Sequence, residues 1–206
     1  MLSNIYKEQW SLFREQYKRL FNGFLLLFFL SGLISFIVGL YRPDLLASWM
    51  EEILEIFEGI ELLDPSNTNL EIAWGLFLNN AQVCLLVITT GFIPIFLPAI
   101  VILLVNGAMI GVVLGFIQIN GGSALATFMA GILPHGLFEI PAILLSAALA
   151  FVISKSLVKK WVSGGPFLPT FRHALKTVIF IILPFLLIAA FIEAFITPGL
   201  LTGVAG

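Results

Sequence analysis

One long stretch of this chain is almost free of charge. Between Ile72 and Ser154, Glu139 is the only Asp, Glu, Lys or Arg, and His135 is the only His. The whole chain is 60% hydrophobic and 11% charged, which lies far from the balance of a soluble domain. Because a bilayer offers the backbone no water, apolar stretches of this length fold as membrane-spanning helices. The sequence therefore predicts an all-α polytopic membrane bundle.

The uncharged stretches divide into about five predicted spans. These spans are 20–41, 72–91, 99–118, 124–154 and 177–197. The fourth would be roughly 46 Å long as one helix, against about 30 Å of hydrocarbon. Pro134 and Pro141, with Gly136 between them, disfavour a straight helix there. We therefore predict that span 4 is broken around 131–141.

Charge predicts the topology. Nine of the ten basic residues lie in two segments, 1–19 and 155–176. The positive-inside rule places both in the cytoplasm, which requires an even number of crossings between them. Spans 1 to 4 supply that number, so we expect a plasma-membrane protein with its N-terminus inside and its C-terminus outside. Residues 1–19 also carry a helical apolar stripe, which predicts an interfacial helix on the inner leaflet.

The segment 42–71 is acidic and lies outside the membrane in this topology. Apolar residues recur in it at mostly three- and four-residue steps, at Leu45, Leu46, Trp49, Ile53, Phe57 and Ile60. This spacing predicts an amphipathic helix from Asp44 to about Leu63. A solvated face is favoured over a calcium site, because the acidic residues lack the spacing of an EF-hand loop. We expect other membrane proteins as partners of this helix.

An intramembrane polar site is predicted around His135 and Glu139. They lie four residues apart, so their side chains meet on one helix face. Ionisable residues inside a membrane usually face a bundle interior and mark a functional site, and a purely structural hydrogen bond between the two side chains is the alternative. Asn79 and Asn80 in span 2 and Asn106 in span 3 also need hydrogen-bond partners in this medium. We expect them to find those partners in each other and in the His135–Glu139 pair.

Two other titratable residues rank below this pair. Glu193 lies near the outer end of span 5, where its side chain would reach the membrane surface. His173 falls in the basic segment 155–176, outside the membrane. Since a metal site normally needs three protein ligands, we predict no metal site and no cofactor.

Span 3 carries a ridge of small residues, with Gly107, Gly111 and Gly115 at four-residue spacing. Small residues on one ridge let two membrane helices approach closely. Packing within the bundle is the favoured interpretation, and a homodimer interface is the alternative.

The polar residues and glycines also carry a resemblance. Asn79-Asn80, Asn106-Gly107 followed by Gly111, and Pro134-His-Gly-x-x-Glu-x-Pro-Ala142 resemble the stage II sporulation protein M family over about 72–154. The resemblance implies a plasma-membrane protein with this five-span layout. For the sporulation members it implies a part in engulfment, alongside membrane-anchored peptidoglycan hydrolases.

Three function classes follow from these observations. A non-enzymatic scaffold or assembly factor for a membrane-associated complex is favoured, because no complete catalytic set is present. The alternative is a transporter or channel that handles a cation or protons at His135 and Glu139. An intramembrane hydrolase is the weakest, since no second membrane histidine and no Gly-x-Ser-x-Gly elbow is found. We expect the lipid bilayer and no nucleic acid as a partner.

Overall fold

In a computed structural model of the protein, the chain forms a bundle of long helices. The structure describes residues 2–58, 67–93 and 97–202, and these ranges contain five helices long and apolar enough to cross a membrane, with no strand. The five, TM1 to TM5, are Ser3–Tyr41, Asn69–Thr90, Leu97–Ile119, Ala124–Ser163 and Leu168–Phe195. The prediction of an all-α membrane bundle with five spans is confirmed.

TM4 is the central helix of the bundle. In its most apolar stretch 61% of the residues are buried, against 22–28% in the other four helices. TM2 and TM5 pack against TM4 and against each other, while TM1 packs most extensively against TM3. Small and branched side chains of TM4, from Ala142 to Ala150, fill the centre. A polar group on the early turns of TM4 therefore faces TM2 and TM5 rather than lipid alone.

TM1 and TM3 are in backbone contact through their small residues. A Cβ atom on Gly107 would overlap the carbonyl oxygen of Phe28, and one on Gly111 would overlap that of Gly32. Ser35 Oγ also donates a hydrogen bond of 2.8 Å across the interface. Two of the three ridge glycines thus lie inside the bundle, against TM1.

Gly115, the third member of that ridge, is less tightly packed than the first two, and the backbone oxygen nearest to its Cβ position, that of Phe36, would lie 3.7 Å away. A Cβ atom on it would lie 3.4 Å from Leu46 Cδ1, which is ordinary van der Waals contact. Only the first two positions of the ridge therefore require glycine.

TM4 is irregular at the beginning of the stretch in which we predicted a break. A π-helical turn covers Phe128–Ile132, and one α-helix then runs over Leu133–Ser163. Pro134 lies in the first turn of that helix, where its missing N–H costs no hydrogen bond. The helix continues through Gly136 and Pro141, since a membrane helix embedded in a bundle tolerates one unpaired carbonyl. The interruption is therefore a wide turn before Pro134 and leaves the helix continuous through Pro141.

TM5 repeats this local pattern. A π-helical turn at Val178–Ile182 is followed by the α-helix Leu183–Phe195, with Pro184 in its first turn. In both helices the π-helical turn comes directly before a Leu-Pro pair. Proline cannot donate a backbone hydrogen bond, and the wider spacing of the π-helical turn accommodates this missing bond.

The N-terminal segment and the basic segment meet at one end of the bundle, here called the basic face. Lys176 Nζ lies 2.9 Å from the Glu8 carboxylate, and Thr177 Oγ1 donates a 2.6 Å hydrogen bond to Gln9. Only the short turn 164–167 separates TM4 from TM5, so most of the predicted basic loop is helical. The two basic segments therefore lie on the same side, as the parity of the crossings requires.

The acidic helix is Pro43–Glu58, and it packs on TM3 at the opposite end, here called the acidic face. Leu46 and Ile53 are buried there against Val112 of TM3. A salt bridge of 2.7 Å joins Arg42 to Asp44, and this hydrogen-bonded pairing lowers the pKa of the Asp44 carboxyl. The rest of the predicted helix, to Leu63, lies outside the described residues.

Candidate functional site

Three ionisable side chains converge in the half of the bundle nearer the acidic face. They are His135 and Glu139 of TM4 and Glu193 of TM5, and their ligating atoms all lie within 4.8 Å of one another. All three side chains are half-buried. We call these three residues the intramembrane cluster.

The local sequence explains how TM4 presents its two members. His135 follows the π-helical turn and lies in the first turns of the regular helix, with Glu139 one turn further on. The Phe138 ring, between them in sequence, packs edge-on against Phe185 of TM5 at 5.8 Å. This contact helps to hold the polar face of TM4 towards TM5.

Glu193 joins the cluster because TM4 and TM5 form an antiparallel hairpin. Almost the same number of residues separates Glu139 from Gly164 and Phe167 from Glu193, so the two carboxylates lie at the same height. Buried alanines at 189, 190 and 194 allow TM5 to approach its neighbours closely. From the sequence we expected the side chain of Glu193 to reach the membrane surface, whereas the structure brings it to Glu139. Glu193 is the only charged residue in the predicted span 177–197, and this isolation in the sequence could have indicated that it belongs to the site.

TM2 contributes Asn80, whose side-chain amide lies close enough to the Glu139 carboxylate to interact with it. His135 contributes an imidazole nitrogen without a hydrogen-bond partner, because its Nδ1 is buried and hydrogen-bonds to no donor or acceptor among the described residues. The site thus presents one amide, two carboxylates and one unpaired imidazole nitrogen.

Within the described part of the chain, no contact with the cluster is seen for the other predicted polar residues. The Asn106 side chain donates a 2.8 Å hydrogen bond to the carbonyl of Ile102 in its own helix. Asn79 is half-buried on TM2, and we find no hydrogen bond from its side chain within the described part of the chain. Of the three asparagines, only Asn80 is therefore seen to contact the cluster.

The chemistry of the cluster follows from its charges. Two carboxylates within 4.8 Å repel each other strongly in a medium of low dielectric constant, so they do not both stay ionised unless positive charge lies between them. A proton or a metal ion supplies that charge. One imidazole nitrogen with two carboxylate oxygens is a donor set that suits divalent ions such as Mn²⁺, Fe²⁺ or Zn²⁺. Glu193 thus offers the third ligand, which the spacing of His135 and Glu139 alone does not provide.

Comparison with known proteins places the chain among its relatives. The family model described as stage II sporulation protein M matches residues 24–198. An uncharacterized protein, MJ0793 of Methanocaldococcus jannaschii, is 36% identical over 129 residues, which is 60% of this chain and 70% of the relative. No solved structure matches.

The family match extends from TM1 to the end of TM5, and so it contains every residue on which the sequence resemblance rests. The relative adds no function, since its own name gives none. The chain belongs to the stage II sporulation protein M family of membrane proteins.

Proposed function

We propose that the protein binds a cation, either a proton or a divalent metal ion, at the intramembrane cluster, and that this binding serves transport across the membrane. The observation that carries the proposal is the convergence of His135, Glu139 and Glu193 within 4.8 Å inside an apolar bundle. Ionisable groups are costly in a bilayer, and paired intramembrane carboxylates are typical of proton and ion pathways. Neither the binding nor the transport requires catalysis, and we assign no enzymatic activity.

The helices that carry the cluster support this proposal. TM4 and TM5 each contain a π-helical turn, at Phe128–Ile132 and Val178–Ile182. Such turns occur frequently at functional sites, and interrupted helices surround the ion sites of many transporters. A purely structural hydrogen bond would need one donor and one acceptor, whereas this cluster holds two acceptors and an unpaired imidazole nitrogen.

The variant Glu139→Gln tests the cation site. The neutral amide keeps the size of the side chain but removes one of the two charges, so we expect binding of Mn²⁺ or Zn²⁺ to be lost, together with proton flux. Calorimetric titration of the purified protein measures the first, and a pH-sensitive dye inside reconstituted vesicles measures the second. If the unmodified protein binds one of these metal ions, the cation of the site is that metal. If it shows proton flux and binds no metal, the cation is the proton.

The matched control is Glu52→Gln, which makes the same chemical change on the exposed surface of the acidic helix. It should behave as the unmodified protein does in both measurements. Unchanged metal binding and proton flux in a folded Glu139→Gln variant would refute the proposal.

We also propose that the basic face is cytoplasmic in the plasma membrane, with the N-terminus inside. Isosteric cysteines test this orientation, at Ser123 on the acidic face and at Ser163 on the basic face, in a Cys84→Ala background. A membrane-impermeant maleimide added to intact cells should label the cysteine at 123 and not the one at 163. The reverse labelling would invert the topology.

A scaffold or assembly role for a membrane-associated complex is the second candidate, and the acidic helix favours it. Packing of Leu46 and Ile53 on TM3 fixes this helix, while Glu51, Glu52 and Glu55 stay exposed. A rigid row of carboxylates suits a basic surface on another membrane protein. A photocrosslinker at Glu52 should then capture one defined partner in cells, and a crosslinker at lipid-facing Leu137 should not. Capture at neither position counts against this role.

A further inference from the structure

A groove of about 450 Å³ opens at the basic face between TM1, TM4 and TM5. Its deeper walls are apolar and include Phe13, Phe21, Ile181, Phe185 and Pro141. This volume lies in the range of sites that bind small molecules. The groove reaches as far as Pro141, two residues from Glu139, but no member of the intramembrane cluster lines it.

One polar side chain in the wall of this groove lacks a partner. Gln9 is only 5% exposed, and its Oε1 accepts the 2.6 Å hydrogen bond from Thr177. Its Nε2 is buried and has no hydrogen-bond partner among the described residues. A buried amide left unpaired costs about 1–3 kcal/mol, so a donor of this kind indicates an acceptor that is supplied by a ligand.

The rim of the groove has the character of a membrane interface. Tyr6 and Trp10 both line the groove and are 49% and 61% exposed. Aromatic side chains of this type are enriched at the headgroup level of a bilayer. Lys7 and Arg14 lie on the same helical turns, and neither forms an ion pair within the described ranges. The groove therefore has an apolar floor, one unpaired donor and an aromatic rim, and two basic residues without an ion pair lie on the helical turns of that rim.

We propose that this groove binds one molecule of an anionic phospholipid. An acyl chain occupies the apolar floor between Phe21 and Phe185, and an oxygen of the linkage to glycerol accepts a hydrogen bond from Gln9 Nε2. The phosphate lies at the rim, where Lys7 and Arg14 attract it. The order of these parts matches the order of a lipid, from apolar chain through polar linkage to charged headgroup.

Native mass spectrometry of the detergent-purified full-length protein tests this assignment with phosphatidylglycerol as the probe. The unmodified protein should retain one lipid at low lipid concentration, and retain phosphatidylcholine several-fold less. Ile181→Trp fills the groove and should abolish this retention. Ile188→Trp is the matched control, because it makes the same change on a lipid-facing part of TM5 outside the groove.

Gln9→Leu provides a second variant that leaves the groove open. It removes the unpaired donor at similar size, so retention should fall several-fold, consistent with the loss of one hydrogen bond. Equal retention of phosphatidylglycerol by the Ile181→Trp and Ile188→Trp variants would overturn the proposal. A change of oligomeric state in Ile181→Trp without loss of lipid would likewise overturn it, and would assign the groove to a second copy of the chain.

Discussion

Replacing Glu193 with lysine is expected to abolish cation binding at the intramembrane cluster while leaving the bundle folded. The lysine ammonium replaces one carboxylate and comes within reach of the other, on Glu139. It then supplies as a fixed group the positive charge that a bound proton or metal ion supplies in the unmodified protein. A buried ion pair with good geometry is tolerated, whereas an unpaired buried charge is strongly destabilising.

The expected loss is large. Mutating a residue that only hydrogen-bonds to a metal ligand already lowers metal affinity by about 10–100-fold. Glu193→Lys removes a ligand itself and adds a positive charge that repels the metal ion. We therefore expect metal affinity to fall by more than about 100-fold. Calorimetric titration measures the affinity, and circular dichroism verifies the helical fold.

Two further variants define what this result means. Glu51→Lys makes the same charge reversal on the exposed acidic helix, and it should leave the affinity unchanged. Lysine at both 139 and 193 should fail to fold or insert, because two ammonium groups would then lie together without a counter-charge. Full metal affinity in the Glu193→Lys variant would show that Glu193 is no ligand.

Gly111→Ala is expected to destabilise the bundle by about 1–3 kcal/mol, which is the usual cost of overpacking a well-packed core. The added methyl group overlaps the backbone carbonyl of Gly32 and the hydroxyl of Ser35. A backbone oxygen cannot move aside as a flexible side chain can, so TM1 and TM3 must separate. Thermal unfolding in detergent, followed by circular dichroism, should show the lower transition temperature.

Gly115→Ala is the matched control, one helical turn away on the same ridge. Both glycines are buried in the same helix, so the gain in helix propensity from alanine is similar in both variants. The new methyl group at 115 lies 3.4 Å from the side chain of Leu46 and 3.7 Å from the carbonyl oxygen of Phe36, which are both ordinary van der Waals distances. Equal transition temperatures for the two variants would contradict the close approach of TM1 and TM3 at Gly111.

Much of the site could be predicted from residue order, and one part could not. His135 and Glu139 share a helix face because they are four residues apart, and an apolar span makes any ionisable residue conspicuous. Glu193 is equally conspicuous in its own span, yet its position near the span end favoured an orientation towards the surface. The pairing depends on how far the TM4–TM5 hairpin extends past the membrane, and the span boundaries alone do not give this length.

The location of the helix irregularities shows the same limit. Proline marks a position where a hydrogen bond is missing, but the neighbouring turn decides which residues absorb the defect. In TM4 the π-helical turn at Phe128–Ile132 absorbs it, so the helix stays continuous through Gly136 and Pro141.

The sequence by itself determined the class of the protein, its five spans, its charge segregation and its family, because these depend on local hydrophobicity and motif spacing. Only the tertiary structure decided that TM4 is the central helix, that Gly107 and Gly111 face TM1, and that Asn80 and Glu193 reach Glu139. Each of these is a contact between residues far apart in the chain. Such contacts are selected by the packing of whole helices, which no single stretch of residues specifies.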